Sequence, residues 1–220
     1  MTDDAAGPGA CEHEEGTAAA DFWFDPLCPW TWTTARWLRE VRRLAGIRVR
    51  WRVMSLEVLN EGREVNPEDP EGEWGAYLRQ PVRVCAAVAE HHGTEALGRY
   101  YAALAVRLHE RGEWDGLARA LDDAGLPAQL AAAAESETYD PAVRASHAEG
   151  IALVGTDVGS PVLAVTPPGG DRFAFFGPVV SPAPRGADAL RLWDGLLTLG
   201  AVPGLYEIKR TRTDETPSLA

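Results

Sequence analysis

The 220-residue sequence predicts an α/β fold in which a strand–helix–strand unit and a strand–strand–helix unit share one sheet, with a block of helices inserted between them. Three observations carry this prediction. An apolar run, a helical stripe and an alternating run follow one another over residues 21–55. From about 74 to 139 the apolar periodicity is helical throughout. After residue 160, two apolar runs joined by turn residues lead into a last helix.

The first apolar run, DFWFDP, is cut off by Pro26 and reads as a buried strand. Pro29 suits the first position of a helix, where no backbone donor is needed, and Trp30, Thr34, Trp37, Val41 and Leu44 recur at steps of four and three. That helix is predicted over 29–45, stopped by Gly46. In IRVRWRVMSL, Ile47, Val49, Trp51 and Val53 alternate with Arg48, Arg50 and Arg52, the pattern of a strand with one buried face. The crossover rule makes the two strands parallel neighbours. Beyond the turn-rich NEGREVNPEDPEGEWG, Leu97, Tyr101, Leu104 and Leu108 form a helical stripe, and DGLARALDDAGLP ends another helix at Gly125. Asp140 and Pro141 read as an N-cap and first helical residue, opening a helix that closes near Gly155. SPVLAV and RFAFF, joined by TPPGGD, read as a hairpin, and GADALRLWDGLLTL as a helix with Leu190, Trp193 and Leu197 on one side.

A βαβ half and a ββα half around one sheet is the thioredoxin-like architecture, here with an inserted α-helical domain. The expected organisation is an acidic tail over 1–20, thioredoxin-like parts at 21–73 and 140–206, the insertion at 74–139, and a loose C-terminal tail over 207–220.

Composition narrows the function. A hydrophobic content of 45% suffices for a full core, while a net charge of −12 removes the positive surface that binds phosphate backbones; nucleic acid is not an expected partner. The sequence pI of about 4.9 agrees. The first twenty residues lack the basic and apolar regions of a secretory signal, and no apolar run reaches membrane-spanning length, so a cytoplasmic protein without a membrane partner is expected. There, Cys11, Cys28 and Cys85 stay reduced and form no disulfide framework. No phosphate-cradling glycine motif and no flavin or nicotinamide fingerprint occurs, and the CEHEE cluster reads as solvated acidic tail; no metal, flavin or nicotinamide is expected.

The stretch LCPWTWTTARW holds the candidate site. Cys28 sits at the strand-to-helix junction, facing unpaired backbone N–H groups and the positive end of the helix dipole. Cysteines so placed have pKa values lowered from about 8.5 to about 3.5–7.5, which makes a nucleophile. The alternative is a small buried hydrophobe, against which stand the junction, Pro29 and the matching second half of the fold. Ser160-Pro161 enters the third strand. A proline is tolerated at a strand start without further role, but in a thioredoxin-like fold a cis-proline loop packs against the active cysteine; a cis bond in contact with Cys28 is predicted.

The stretches FWFDPLCPW, RWL, MSLEVLNEG, RLHERG, DVGSPVLAV and FGPVVSPAPRGADALRLWDG span Asp21 to about Tyr206. Together they resemble the DsbA-like thioredoxin family with an inserted helical domain, and within it the actinobacterial mycothiol-dependent nitroreductase branch. The resemblance implies that Cys28 is the catalytic thiol, bordered by Pro29 and Trp30, that Ser160 and Pro161 form the cis-proline turn, and that Asn60 and His109 line the pocket. A turn amide and a helix-surface histidine are the other readings of those last two. It also implies mycothiol or another low-molecular-weight thiol as cofactor, a small electrophilic substrate and, by analogy, a homodimer.

The family pattern Cys-Pro-Trp-Cys reads Cys-Pro-Trp-Thr here. Without a second thiol at i+3, Cys28 cannot cycle between dithiol and internal disulfide. Cys11 and Cys85 are not expected to replace it. Thr31 shares a helix face with Cys28, so its hydroxyl is expected to donate to the sulfur anion. Two chemistries remain. In one, Cys28 and an external thiol share a mixed disulfide and reduce or modify a small electrophile. In the other, the thiolate adds reversibly to a conjugated double bond, giving a cofactor-independent cis–trans isomerase, or acts as a thiol transferase. A binding or inactive relative is the remaining reading. Trp23, Trp30, Trp32 and Trp37 suit a flat apolar substrate, with several of them serving as core.

Overall fold

The structure, a computed structural model, describes residues 16–219. Its sheet has four strands in the order β2-β1-β3-β4. β1 (Ala19–Phe24) is central and pairs in parallel with β2 (Arg48–Val53), Phe22 opposite Trp51. On its other side β1 meets β3 (Val162–Thr166) antiparallel, and β3 pairs with β4 (Phe173–Phe176) across the expected hairpin. A strand covered on both faces must be apolar on both. From Ala20 to Phe24 β1 is buried without a break, Asp21 being bracketed by Arg50 of β2 and Arg172 of the hairpin.

Helix α1 (Pro29–Ala45) is the crossover between β1 and β2. Proline opens it, and Gly46 closes it at φ +67°, a left-handed value that costs glycine nothing, while its N–H bonds the Arg42 carbonyl. Trp37, Leu38 and Val41 enter the core, and the Trp37 indole donates to the Ala189 carbonyl of α6 (Gly186–Gly200). Leu44, the last of the residues recurring at helical steps, is 37% exposed, as the whole last turn of α1 is exposed. On α6 the buried residues are Ala189, Trp193 and Leu196, one position away from the expected Leu197.

Between β2 and β3 the chain forms the single turn α2 (Leu56–Leu59), the long α3 (Gly75–Ala105), α4 (Leu117–Asp123), 3₁₀ turns over Ala128–Glu135 and Glu137–Tyr139, and α5 (Asp140–Val154). α3 breaks at Gly93, whose φ of +79° is open to glycine alone, and runs into a π-helical turn over Val106–Glu110. Leu97, Tyr101, Leu104 and Leu108 are all buried. Tyr101 stacks on Phe24 of β1 with ring centres 3.8 Å apart, which fixes α3 to the sheet. Asp140 does not cap α5: Tyr139 holds that place, and the Asp140 carboxylate takes both arms of the Arg83 guanidinium at 2.6 and 2.7 Å.

Two further differences concern the ends. β1 begins at Ala19, inside the segment read as acidic tail. Residues 207–219 have no regular secondary structure, yet they are docked. Pro217 is buried, the Ser218 N–H donates to Ser181 Oγ, and Arg36 donates to the Leu219 carbonyl. Cys11 and the CEHEE cluster lie outside the described residues.

Candidate active site

The site is built around the loop DPLC between β1 and α1. The Asp25 carboxylate accepts the Leu27 N–H at 2.8 Å and the Leu56 N–H of α2 at 2.7 Å, while its carbonyl accepts the Cys28 N–H at 3.2 Å. This aspartate turn winds the loop and stitches it to α2. Its backbone N–H donates to Ser160 Oγ at 3.1 Å. Burial lifts the Asp25 carboxyl to about 7. Nothing in the spacing of the sequence singled Asp25 out; only the adjacent proline hinted at a turn.

Cys28 is the N-cap residue of α1, with φ −81° and ψ 112°, but its side chain makes no cap bond. The sulfur is turned towards the sheet, where the thiol faces the Ser160 carbonyl at 4.0 Å. The Ser160-Pro161 peptide bond is cis. The loop and the proline turn thus meet at the sulfur, as the sequence predicts.

The electrostatics differ from expectation. Cys28 is only 9% exposed, and burial pushes its thiol up to about 11. The hydroxyl and N–H of Thr31 favour the anion, but desolvation outweighs them, and the charges of Asp25 and Glu68 add to the rise. Burial thus opposes the helix terminus at this sulfur. Position at a junction is legible in sequence; the tertiary cover that dries the sulfur is not.

Thr31, one turn into α1, is fully buried, and its Oγ1 lies 2.5 Å from Ser160 Oγ. Since Ser160 Oγ already accepts from Asp25, its own proton can pass to Thr31 Oγ1, and the Thr31 proton is then left for the sulfur. Nothing in the sequence marks Thr33, and it marks Thr34 only as part of the helical stripe of α1. Their hydroxyls donate to the Val180 and Pro178 carbonyls, both at 2.7 Å, fastening the 177–182 loop to α1. That loop carries two further cis bonds, Gly177-Pro178 and Ser181-Pro182.

The π-helical turn brings in His109. Its Nε2–H donates to the Pro26 carbonyl at 2.9 Å, and burial lowers its pKa, so the ring is a neutral donor. The same turn sends Glu110 to accept the Trp32 indole N–H at 2.9 Å. His109 is therefore a brace on the cysteine loop rather than a surface histidine. Asn60 is buried at the C-cap of α2 and bonds its own helix through its backbone N–H, with no hydrogen bond to Cys28, Thr31 or Ser160. Of Trp23, Trp30, Trp32 and Trp37, the first, third and fourth are core and Trp30 is partly exposed beside the cysteine. The Arg212 guanidinium, from the docked tail, lies 4.7 Å from its ring centre.

Cys85 lies in α3, fully buried, and both it and Cys28 are free thiols. Among the described residues no three His, Cys, Asp or Glu side chains group to hold a metal ion, and no helix is long and apolar enough to cross a membrane.

A helix-capping cysteine against a cis-proline turn, on a βαβ/ββα sheet interrupted by helices, defines a DsbA-like thioredoxin-fold enzyme of the thiol oxidoreductase class. Comparison with known proteins gives the family. Residues 27–210 match the Rv2466c-like family model, described as mycothiol-dependent nitroreductase Rv2466c, and the chain belongs to this family. It is 34% identical over 200 residues to the uncharacterized protein Rv2286c of Mycobacterium tuberculosis, covering 88% of this chain and 82% of that one. Among solved structures it resembles the cytosolic disulfide reductase DsbM from Pseudomonas aeruginosa, with a TM-score of 0.54 and 18% identity over 82% of this chain and 99% of the other. It also resembles a 2-hydroxychromene-2-carboxylate isomerase, with a TM-score of 0.53 and 12% identity over 82% and 94%. These two likenesses establish the fold.

Proposed function

We propose that the protein is a monothiol oxidoreductase in which Cys28 works with a low-molecular-weight thiol, mycothiol or a close relative, to reduce a small electrophile such as a nitroaromatic. The observation that carries this reading is the Thr31–Ser160 hydrogen bond. A hydroxyl, already engaged with the proline turn, stands where a resolving thiol would be needed for dithiol chemistry. The family match supports the choice of external thiol. The residues present fit such a partner: the sulfur lies beside a backbone carbonyl of the proline turn, and Pro29 and Trp30 form the partly exposed edge at which a polar thiol can approach.

The electrons balance as follows. Cys28 loses its proton and, with one external thiol, gives up two electrons to the nitro group, which takes two protons and releases water to become nitroso. Cys28 is left as a mixed disulfide. A second external thiol attacks the outer sulfur, so that the external disulfide departs and Cys28 returns as a thiol. Thr31 favours the leaving Cys28 sulfur as an anion, and His109 holds the loop that carries it.

Wild type and Cys28→Ser are incubated with mycothiol and a nitroaromatic, and thiol consumption and product mass are followed. The reading requires wild-type thiol consumption with a reduced product, and loss of at least a hundredfold in the variant. An isomer of unchanged mass formed from a conjugated enone, with no thiol consumed, would instead establish the reversible-addition chemistry.

A further inference from the structure

A second concave site lies at the opposite end of α1 from the cysteine. A groove of about 660 Å³ is bounded by the C-terminal half of α1, by α3 around residues 95–99 and by the 183–185 loop, with Trp51 of β2 at its base. Its volume falls in the range of small-molecule sites. From Cys28 to Arg39 the helix rises roughly 16 Å, so the groove is separate from the thiol site.

Six arginines and two glutamates line it, in a chain whose net charge is −12. Both glutamates are already engaged. Glu40 takes both arms of Arg43 at 2.9 Å and also the Gly186 N–H, and Glu95 takes Arg42 at 3.0 Å. Arg36 is directed to the Leu219 carbonyl. Among the described residues Arg39, Arg99 and Arg185 have no carboxylate in ion-pair contact, although the charges of Glu95 and Glu40 act on Arg39 and Arg185 from further off. Burial and the neighbouring Arg42 lower the proton affinity of Arg39, the response of a cation short of compensation.

A different kind of observation points the same way. Trp51 is 2% exposed, and its indole N–H has no hydrogen-bond partner among the described residues. The ring slides beneath α3 only because residue 98 is glycine: a Cβ there would lie 2.4 Å from Nε1. Arg39 reaches the same point, donating to the Gly98 carbonyl at 3.4 Å. Arg39 and the enclosed indole thus both pack against Gly98, a residue that lines the groove. Unpartnered buried donors are uncommon and call for an acceptor.

We propose that this groove binds a small, multiply charged oxyanion, held by Arg39, Arg99 and Arg185. Guanidinium forks match both phosphate and carboxylate oxygens, so the shared chemistry is a di- or trianion presenting several acceptor oxygens. An acidic protein repels anions at long range, so capture must come from this local cluster.

The test is titration of the full-length protein with inorganic pyrophosphate and, in a parallel arm, citrate, by calorimetry and by the indole N–H resonances. Saturable 1:1 binding below 1 mM is expected, as a rough figure for a groove with three charged forks, with a shift of the Trp51 indole resonance. Arg99→Gln/Arg185→Gln replaces two side chains with no ion pair to lose and is expected to weaken binding at least tenfold at unchanged Tm. Arg39→Gln gives a second, independent reading. Tighter pyrophosphate identifies a phosphorylated ligand, and tighter citrate a polycarboxylate. Absence of saturable binding in both arms, or affinity unchanged in both variants, overturns the proposal.

Discussion

Thr31 Oγ1 and Ser160 Oγ lie 2.5 Å apart, joining the first turn of α1 to the proline turn directly beside the Cys28 sulfur. The pair is buried, and Asp25 completes its hydrogen bonding from behind. Thr31→Val keeps the shape and removes the hydroxyl. Ser160 loses one partner, at a cost of about 1–2 kcal/mol in denaturant unfolding. Alkylation of Cys28 is expected to slow several-fold, because a group that favours the anion is gone.

Thr31→Cys is expected to restore dithiol chemistry. The side chain is similar in size and stands at i+3 from Cys28, so oxidation should form an internal disulfide, seen as a loss of two hydrogens by mass. Thiol consumption in the nitroaromatic assay should fall in proportion to the internal disulfide formed. Failure to form that bond under oxidising conditions would show that α1 does not present the two positions as argued.

The pH dependence of Cys28 alkylation reports its burial. With its pKa pushed up to about 11, the thiolate fraction rises tenfold per pH unit through the neutral range. The alkylation rate, corrected against a free thiol, should climb from pH 7 to 10 without a plateau. A plateau near pH 7 would mean the anion is held after all.

Asp25 makes a separate prediction about stability. Its folded pKa of about 7 lies above its usual 3.8, so the native state binds the proton more tightly. The contribution is fully present below about pH 4 and is lost as pH rises through 7. A shift of this size corresponds to about 4 kcal/mol. Asp25→Asn should remove that slope, so that the stability gap between wild type and variant changes by this order between pH 4 and pH 8 in urea unfolding.

The frame of the fold is readable in the chain because local rules agree there. Pro29 and Gly46 bound α1 where the sequence places them, and the alternating arginines of β2 give its buried face. Cys28, Ser160 and Pro161 come together because a βαβ/ββα order leaves them no other neighbours. The rest of the site depends on contacts across long separations. Asp25 matters through Leu56, Thr34 through Pro178, and His109 through Pro26, 83 residues away. No periodicity records such pairings. The same holds for the sulfur: helix-end position argues for an anion, while the burial that opposes it comes with the fold, which sets the Ser160 carbonyl of the proline turn against it.

Arg212→Ala, or removal of residues 207–220, should speed Cys28 alkylation several-fold and alter Trp30 fluorescence, since the guanidinium rests on the ring of a partly exposed residue two positions from Cys28. An unchanged rate would make the tail a bystander.

The docked end also has a practical side. A purification tag fused beyond Leu219 would extend from a segment pinned by Ser181 and Arg36, in the same tail whose Arg212 rests on the Trp30 ring. Turnover measured on such a fusion would report the handle as much as the enzyme, so kinetic comparison calls for protein from which the handle has been cleaved.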